Sequence, residues 1–110
     1  MQRRAIHEQK INLLYSINND TIMNRMEQVV DAMRRNPKNI AFDDLAFVCD
    51  ALFGQPRQSG SSHRVYRMPW AGDPRVNIQN DHGKAKAYQV RQVLKAIDKL
   101  TEARRRESGR

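Results

Sequence analysis

His63 is the side chain in this sequence best suited to acid–base chemistry. It follows the small-residue run Gly60-Ser61-Ser62 and begins the basic segment that ends at Arg67. Imidazole can take or give a proton near neutral pH, because its ordinary pKa is about 6.5. A turn of small residues lets backbone N–H groups approach a phosphate closely. This combination is typical of a site that could act on RNA, although a histidine held by a neighbouring strand carbonyl is the structural alternative.

Metal-independent RNA cleavage needs a base for the 2′-hydroxyl proton, an acid for the leaving 5′-oxygen and cations for the charge that gathers in the transition state. Small and basic residues that could contact the RNA lie around His63 in the sequence. They are Ser61, Ser62, Arg64, Arg67, Arg75, Lys84, Lys86 and Arg91. Arg91, Lys95 and Lys99 follow one another at four-residue steps, as either a phosphate-binding line or a solvated helix face.

The remaining candidates have weaker patterns. His82 lies in a predicted surface turn and His7 lies far from the motif, so the three histidines have no metal-ligand spacing and we expect no metal or cofactor. Cys49 falls on the apolar side of a predicted helix without a nearby base, which favours a buried, reduced thiol. Tyr66 and Trp70 could stack on bases or pack against the sheet.

The net charge of the chain also favours a nucleic-acid partner. The 110 residues include 20 Lys and Arg against 12 Asp and Glu, a formal net charge of +8. Such an excess attracts polyanions, with nucleic acid first, an anionic membrane second and an acidic protein third, although it could serve only solubility. The sequence has no apolar run of about 18 residues and no secretory signal, which predicts a cytoplasmic protein without a membrane span.

The periodicity predicts an α+β two-layer domain in which one face of an antiparallel sheet packs against two helices. The apolar positions Ile22 to Met33 predict a helix that stops at Asn36-Pro37, and a second helix runs from about Asp43 to Gly54. Strands are predicted at 63–67 and 75–79, with a short first strand within 55–58. A closing helix spans about 85–103. We divide the chain into a helical extension (1–40), the domain (41–103) and a basic tail (104–110).

Alternation along the strands assigns their faces. His63, Val65 and Arg67 should share one face of the sheet, whereas Arg64 and Tyr66 should share the other. In the second strand, Val76 and Ile78 should point inward.

The order of motifs resembles the HicA family of bacterial toxins. The matching pieces are Gly60-Ser-Ser-His-Arg-Val-Tyr-Arg, Pro69, Pro74-Arg-Val-Asn-Ile, Gly83-Lys-Ala-Lys and Val90-Arg-Gln-Val-Leu. The resemblance covers roughly Phe42 to Leu100. It implies a fold like a double-stranded-RNA-binding domain, with the order α-β-β-β-α. It also implies an endoribonuclease that cleaves mRNA, has His63 in the catalytic position and is neutralised by a HicB-like antitoxin.

Two departures from the family pattern bear on these expectations. Family members often have two consecutive histidines, whereas Ser62 and Arg64 flank His63 here. A minimal HicA also lacks the extension, whose apolar stripe we expect to pack on the domain or on a partner. The competing interpretations are a nucleic-acid-binding module without catalysis and an interaction protein built around its N-terminal helices.

Overall fold

The chain is described by a computed structural model that covers residues 21–59, 62–72 and 74–109. His7, Gly60 and Ser61 therefore lie outside the described residues. Within them the fold is α+β, with three helices and a four-stranded antiparallel sheet of order β1-β2-β3-β4. The helices are α1 (21–35), α2 (Phe42–Phe53) and α3 (Ala87–Ser108). The strands are β1 (Gln58–Ser59), β2 (His63–Arg67), β3 (Arg75–Asp81) and β4 (Lys84–Ala85).

Strands β2 and β3 form the centre of the sheet and confirm the predicted alternation. His63 lies opposite Gln79, and Arg67 lies opposite Arg75. Tyr66 is buried against the helices, together with the inward side chains of β3, while His63 and Arg67 are exposed. The predicted α+β class is confirmed. One face of the sheet carries the helices, and the other, which we call the open face, is covered by none of the described helices.

Strand β4 was not predicted. It is joined to β3 by His82 and Gly83, both with positive φ (55° and 87°), as a tight hairpin requires. Two residues are too short to show an alternating pattern, so the sequence predicted only a turn here. Because Lys84 and Ala85 pair with β3, helix α3 begins at Ala87 and not near residue 85.

The hydrophobic core joins all three helices to the sheet. Its fully buried members include Leu45 and Val48 from α2, Val90 and Val93 from α3, and Ile78 from β3. Burying such side chains stabilises the fold by about 1.5–3 kcal/mol each.

Helix α1 and the segment after it belong to the same core. Met33 is fully buried, Ile40 is nearly so, and Met26, Val29 and Val30 pack against the core from one side. The expectation that this apolar stripe packs on the domain is therefore confirmed. The core extends back into the residues that the sequence assigned to an extension.

Residues 40–42 fix this segment to the end of the sheet. The Ala85 N–H donates to the Ile40 carbonyl at 2.8 Å, and the Phe42 N–H donates to the Gly83 carbonyl at 2.9 Å. Phe42 is the first residue of α2, with Ala41 at the N-cap, whereas the sequence predicted Phe42 outside the helix.

Helix α3 continues through most of the predicted basic tail and ends at Ser108. Glu102 forms ion pairs with Arg105 (2.7 Å) and Arg106 (3.5 Å), at the spacings that place side chains together on a helix. The hydrogen bond from Arg105 is the main cause that lowers the pKa of Glu102. None of the helices in the described ranges is long and apolar enough to cross a membrane.

Candidate nucleic-acid interface

The open face of the sheet carries a compact set of basic, amide and imidazole side chains. Strands β2 and β3 present them in directly opposed pairs, because antiparallel partners with the same parity point to the same side. The pairs are His63 with Gln79, Val65 with Asn77, and Arg67 with Arg75. None of these six paired positions carries a carboxylate.

A shallow depression of about 320 Å³ occupies part of this open face. Its lining residues are His63, Val65, Arg75, Asn77, Gln79, Tyr88 and Gln89. Val65 is 5% exposed and supplies an apolar floor. The open face and the start of α3 thus combine an imidazole, a guanidinium, three amides and an aromatic ring around one surface.

His63 is exposed at this depression. Among the residues that the structure describes, no hydrogen bond or ion pair engages its imidazole. The structural alternative, a histidine held by a neighbouring carbonyl, is therefore not what these residues form. The imidazole can therefore donate to or accept from a bound molecule.

The neighbouring positions bring further polar groups to His63. Ser62 is exposed, and its carbonyl accepts the Asn80 N–H at 2.8 Å, which extends the pairing of β2 and β3 beyond His63. Arg75 lines the depression, and Arg67 lies across from it on the same face. Of the predicted RNA-binding residues, Arg67 and Arg75 share the open face with His63, and Ser62 directly precedes it in the chain.

Arg64 is directed away from this site. Its side chain lies on the helix side, where it forms an ion pair with Asp50 at 3.2 Å and approaches the Phe42 ring at 5.9 Å from the centroid. The pKa of Arg64 is raised, chiefly by its hydrogen bond with Tyr66. Although Arg64 is adjacent to His63 in the sequence, the fold places the two side chains on opposite faces.

The other predicted cations are distributed around the start of α3. Lys84 lies in β4 and its ammonium donates to the Asn39 side chain. Lys86 stands at the N-cap of α3, and Arg91 is exposed one turn after Tyr88. Of these three, Arg91 alone shares a helix surface with a residue that lines the depression.

Tyr66 and Trp70, which could either stack on bases or pack against the sheet, both pack. Tyr66 is fully buried, and its hydroxyl donates to Asp50 at 2.6 Å. Trp70 is partly buried beside a separate cleft, with the Lys99 ammonium 4.7 Å from its ring centroid. Neither ring therefore faces His63.

Tyr88 and Gln89 are site residues that the sequence reasoning missed. Gln89 is only 3% exposed, yet its side-chain oxygen accepts the Gln79 N–H at 2.8 Å. Its amide nitrogen donates to the Tyr88 hydroxyl at 3.3 Å. One signal was present in the sequence, because Tyr88 is an aromatic residue outside the apolar stripe Val90, Val93, Leu94 and Ile97 of its helix.

Two other chemistries find no support in the part of the chain that is described. Cys49 is fully buried, and burial raises the pKa of its thiol well above the usual range, which disfavours the nucleophilic thiolate. His82 is an exposed turn residue, as predicted, and contacts Asp81 at 2.9 Å. Residues 21–59, 62–72 and 74–109 contain no cluster of three or more potential metal ligands.

Comparisons with families of known proteins, with curated proteins and with solved structures find no match for this chain.

Proposed function

We propose that this chain is an endoribonuclease that binds RNA on the open face of its sheet and cleaves it with His63, without a metal ion. The observation that supports this most strongly is the exposed His63 imidazole, which no described residue engages. It lies in a depression whose described lining includes Arg75 and no carboxylate. A substrate that carries a hydroxyl group next to a phosphate fits these groups. Imidazole supplies proton transfer and the guanidinium supplies charge stabilisation.

In the proposed reaction, His63 takes the proton of a ribose 2′-hydroxyl. The 2′-oxygen then bonds to the adjacent phosphorus while the bond from phosphorus to the 5′-oxygen breaks. The leaving oxygen takes up a proton from imidazolium or water, which gives a 2′,3′-cyclic phosphate and a free 5′-hydroxyl. Arg75 stabilises the charge on the phosphate oxygens during this exchange.

Within this proposal the chain is a HicA-like mRNA-cleaving toxin with a fold like a double-stranded-RNA-binding domain. Its cytoplasmic location and its neutralisation by a HicB-like antitoxin belong to the same proposal. Support comes from the order of sequence motifs and from the α+β layout, in which an open sheet face remains for a partner to cover.

A second candidate is a nucleic-acid-binding module without catalysis. It is favoured by the described lining of the depression, which contains one imidazole, that of His63, and no carboxylate that could act as a second acid or base. In that case the cations and amides of the open face would hold RNA, and His63 would only add a polar contact.

The test compares RNA cleavage by the wild type, His63→Ala and His82→Ala in buffer containing EDTA. His82 is the matched control, because its side chain is 98% exposed and it lies outside the depression. We expect cleavage by the wild type and by His82→Ala and a loss of at least about 100-fold in His63→Ala, since general acid–base catalysis contributes about 10²–10⁴-fold. Replacing the 2′-hydroxyl by hydrogen should abolish cleavage but not binding.

Equal cleavage by the wild type and His63→Ala would refute the catalytic role. RNA binding with no cleavage by any of the three proteins would establish the module. The toxin assignment has its own test: the product of an adjacent reading frame with a HicB-like domain should bind the chain and block cleavage. Adjacent products that do not inhibit would remove the toxin assignment and leave the ribonuclease proposal intact.

A further inference from the structure

We infer that Tyr88 is a base-stacking residue and that the RNA bound at the His63 face is single-stranded. This inference deepens the proposed function and rests on its premise that RNA binds the open face. It names the substrate class and a specificity-determining residue that lies outside the sequence motif.

The exposure of Tyr88 is the first observation. Among the described residues, Tyr88 (56%) and Ile22 (46%) are the exposed large hydrophobic side chains. Ile22 lies on α1, whereas Tyr88 lines the same depression as His63. An exposed aromatic ring at a polar, cationic depression is placed to contact a flat apolar group of a bound molecule, and nucleobases present such faces.

The second observation is that the position of Tyr88 is held by buried polar contacts. Gln89 docks the first turn of α3 on the edge of β3, beyond the end of β4, through its bond to the Gln79 N–H. The same amide donates to the Tyr88 hydroxyl. Because Gln89 is almost completely buried, this chain of hydrogen bonds orients the phenol ring before any ligand arrives, which reduces the entropy cost of binding.

The neighbouring side chains supply the other contacts that a nucleotide requires. Asn77 and Gln79 present amide groups, which can both donate to and accept from base edges. Arg75 provides a guanidinium for a phosphate in the same depression. The depression thus offers a stacking surface, hydrogen-bonding amides and a cation around the imidazole.

Single strands fit this arrangement better than duplexes. In a double helix both faces of each base are stacked, and side chains reach mainly the 2′-hydroxyl groups and phosphates. A tyrosine ring fixed beside a shallow depression can stack only on a base whose face is free. An unpaired strand provides that face, and it also leaves the 2′-hydroxyl and phosphate free to reach His63.

The experiment measures equilibrium binding in the His63→Ala background, where cleavage does not interfere. The probes are a single-stranded RNA, the same strand with abasic sites and the corresponding duplex. We expect Tyr88→Ala and Tyr88→Leu to weaken binding of the single strand by about tenfold, while Tyr88→Phe stays within about twofold, since aromatic stacking on a base persists in phenylalanine. Binding of the abasic strand should be unaffected by all three substitutions.

Ile22→Ala is the matched control, because it removes the other exposed large hydrophobic side chain of the described residues, which does not line the depression. It should leave every affinity unchanged. Gln89→Ala should weaken single-strand binding less than Tyr88→Ala does but more than Tyr88→Phe. It keeps the ring, but it removes both the bond to the Tyr88 hydroxyl and the bond that docks the first turn of α3 on β3. Thermal melting of each variant checks that the fold is retained.

Two results would overturn the inference: an equal loss on the abasic strand in Tyr88→Ala, or a wild-type preference for the duplex. An equal loss in Tyr88→Phe and Tyr88→Leu would also overturn it, because it would assign the effect to the hydroxyl group. The catalytic proposal and the stacking inference can be refuted independently. A chain that binds single strands through Tyr88 without cleaving them refutes only the catalytic proposal, whereas cleavage that is indifferent to Tyr88 refutes only this inference.

Discussion

Arg67 and Arg75 lie directly opposite each other on β2 and β3, with both side chains exposed on the open face. Both guanidinium groups can donate to a phosphate that binds on this face. Since His63 lies four residues before Arg67, about 13 Å along the strand, an extended phosphate backbone could contact both ends of the face.

Arg75→Gln should weaken RNA binding and reduce its dependence on salt. Each phosphate contact to a single strand contributes about 0.7 to the slope of log K against log salt concentration, because binding releases condensed counterions. We therefore expect the slope for the variant to be smaller in magnitude by about 0.7. Binding isotherms between low and moderate salt measure this directly.

Lys38→Gln is the control for that experiment, because Lys38 is an exposed cation in the turn between α1 and α2, outside the depression. It removes the same charge but should leave the slope nearly unchanged. If both variants lower the slope equally, RNA binding follows the net charge of the chain, and the open face has no special role.

Tyr66→Phe should destabilise the fold without affecting the RNA site. The substitution removes the 2.6 Å hydrogen bond from the buried phenol to Asp50 and leaves the aromatic packing, including the edge-on contact with Phe53, in place. A hydrogen bond to a charged group contributes about 1.5–3 kcal/mol, and the exposure of Asp50 places this one at the lower end. Urea unfolding at pH 7 measures the difference. Tyr88→Phe removes only a longer, 3.3 Å hydrogen bond at an exposed ring, so it should cost less stability than Tyr66→Phe.

The same tyrosine should make stability fall at alkaline pH. Burial is the main cause that raises the pKa of Tyr66, followed by its hydrogen bond to Asp50. The unfolded chain ionises this phenol near pH 10, while the folded chain keeps the proton, so its contribution is fully present below about pH 10 and is lost as the pH rises further. The stability advantage of the wild type over Tyr66→Phe should shrink by up to about 1.4 kcal/mol per pH unit above pH 10. A constant difference from pH 7 to pH 11 would show that Tyr66 ionises equally in both states.

The strand faces were predictable from the sequence because side-chain alternation has a period of two. His63, Val65 and Arg67 share the open face for this reason, and the same rule places Arg64 with Tyr66 on the helix side. Sequence proximity had suggested Arg64 as an RNA ligand. Alternation is the stronger constraint, because a strand residue next to a site faces the opposite side of the sheet.

The contacts of Gln89 with Gln79 and Tyr88 could not be predicted from the sequence, because they depend on where β4 ends. Two residues of β4 cover part of the β3 edge, and the uncovered Gln79 N–H is then satisfied by a helix residue ten positions later. Such a contact arises from the packing of α3 against the sheet, and no local periodicity specifies it. His63, in contrast, belongs to a local turn-and-strand pattern.

Met33→Ala tests whether α1 is part of the folded domain. Met33 is fully buried in the core, so its truncation should destabilise the chain by about 2–5 kcal/mol through lost burial and a residual cavity. Ile22→Ala, on the same helix but 46% exposed, should cost less than about 1 kcal/mol. Chemical unfolding of both variants measures the difference. If both variants lose a small and similar free energy of unfolding, the core is complete without α1 and the domain begins close to residue 41. If only Met33→Ala loses several kcal/mol, the cooperative unit extends back to α1.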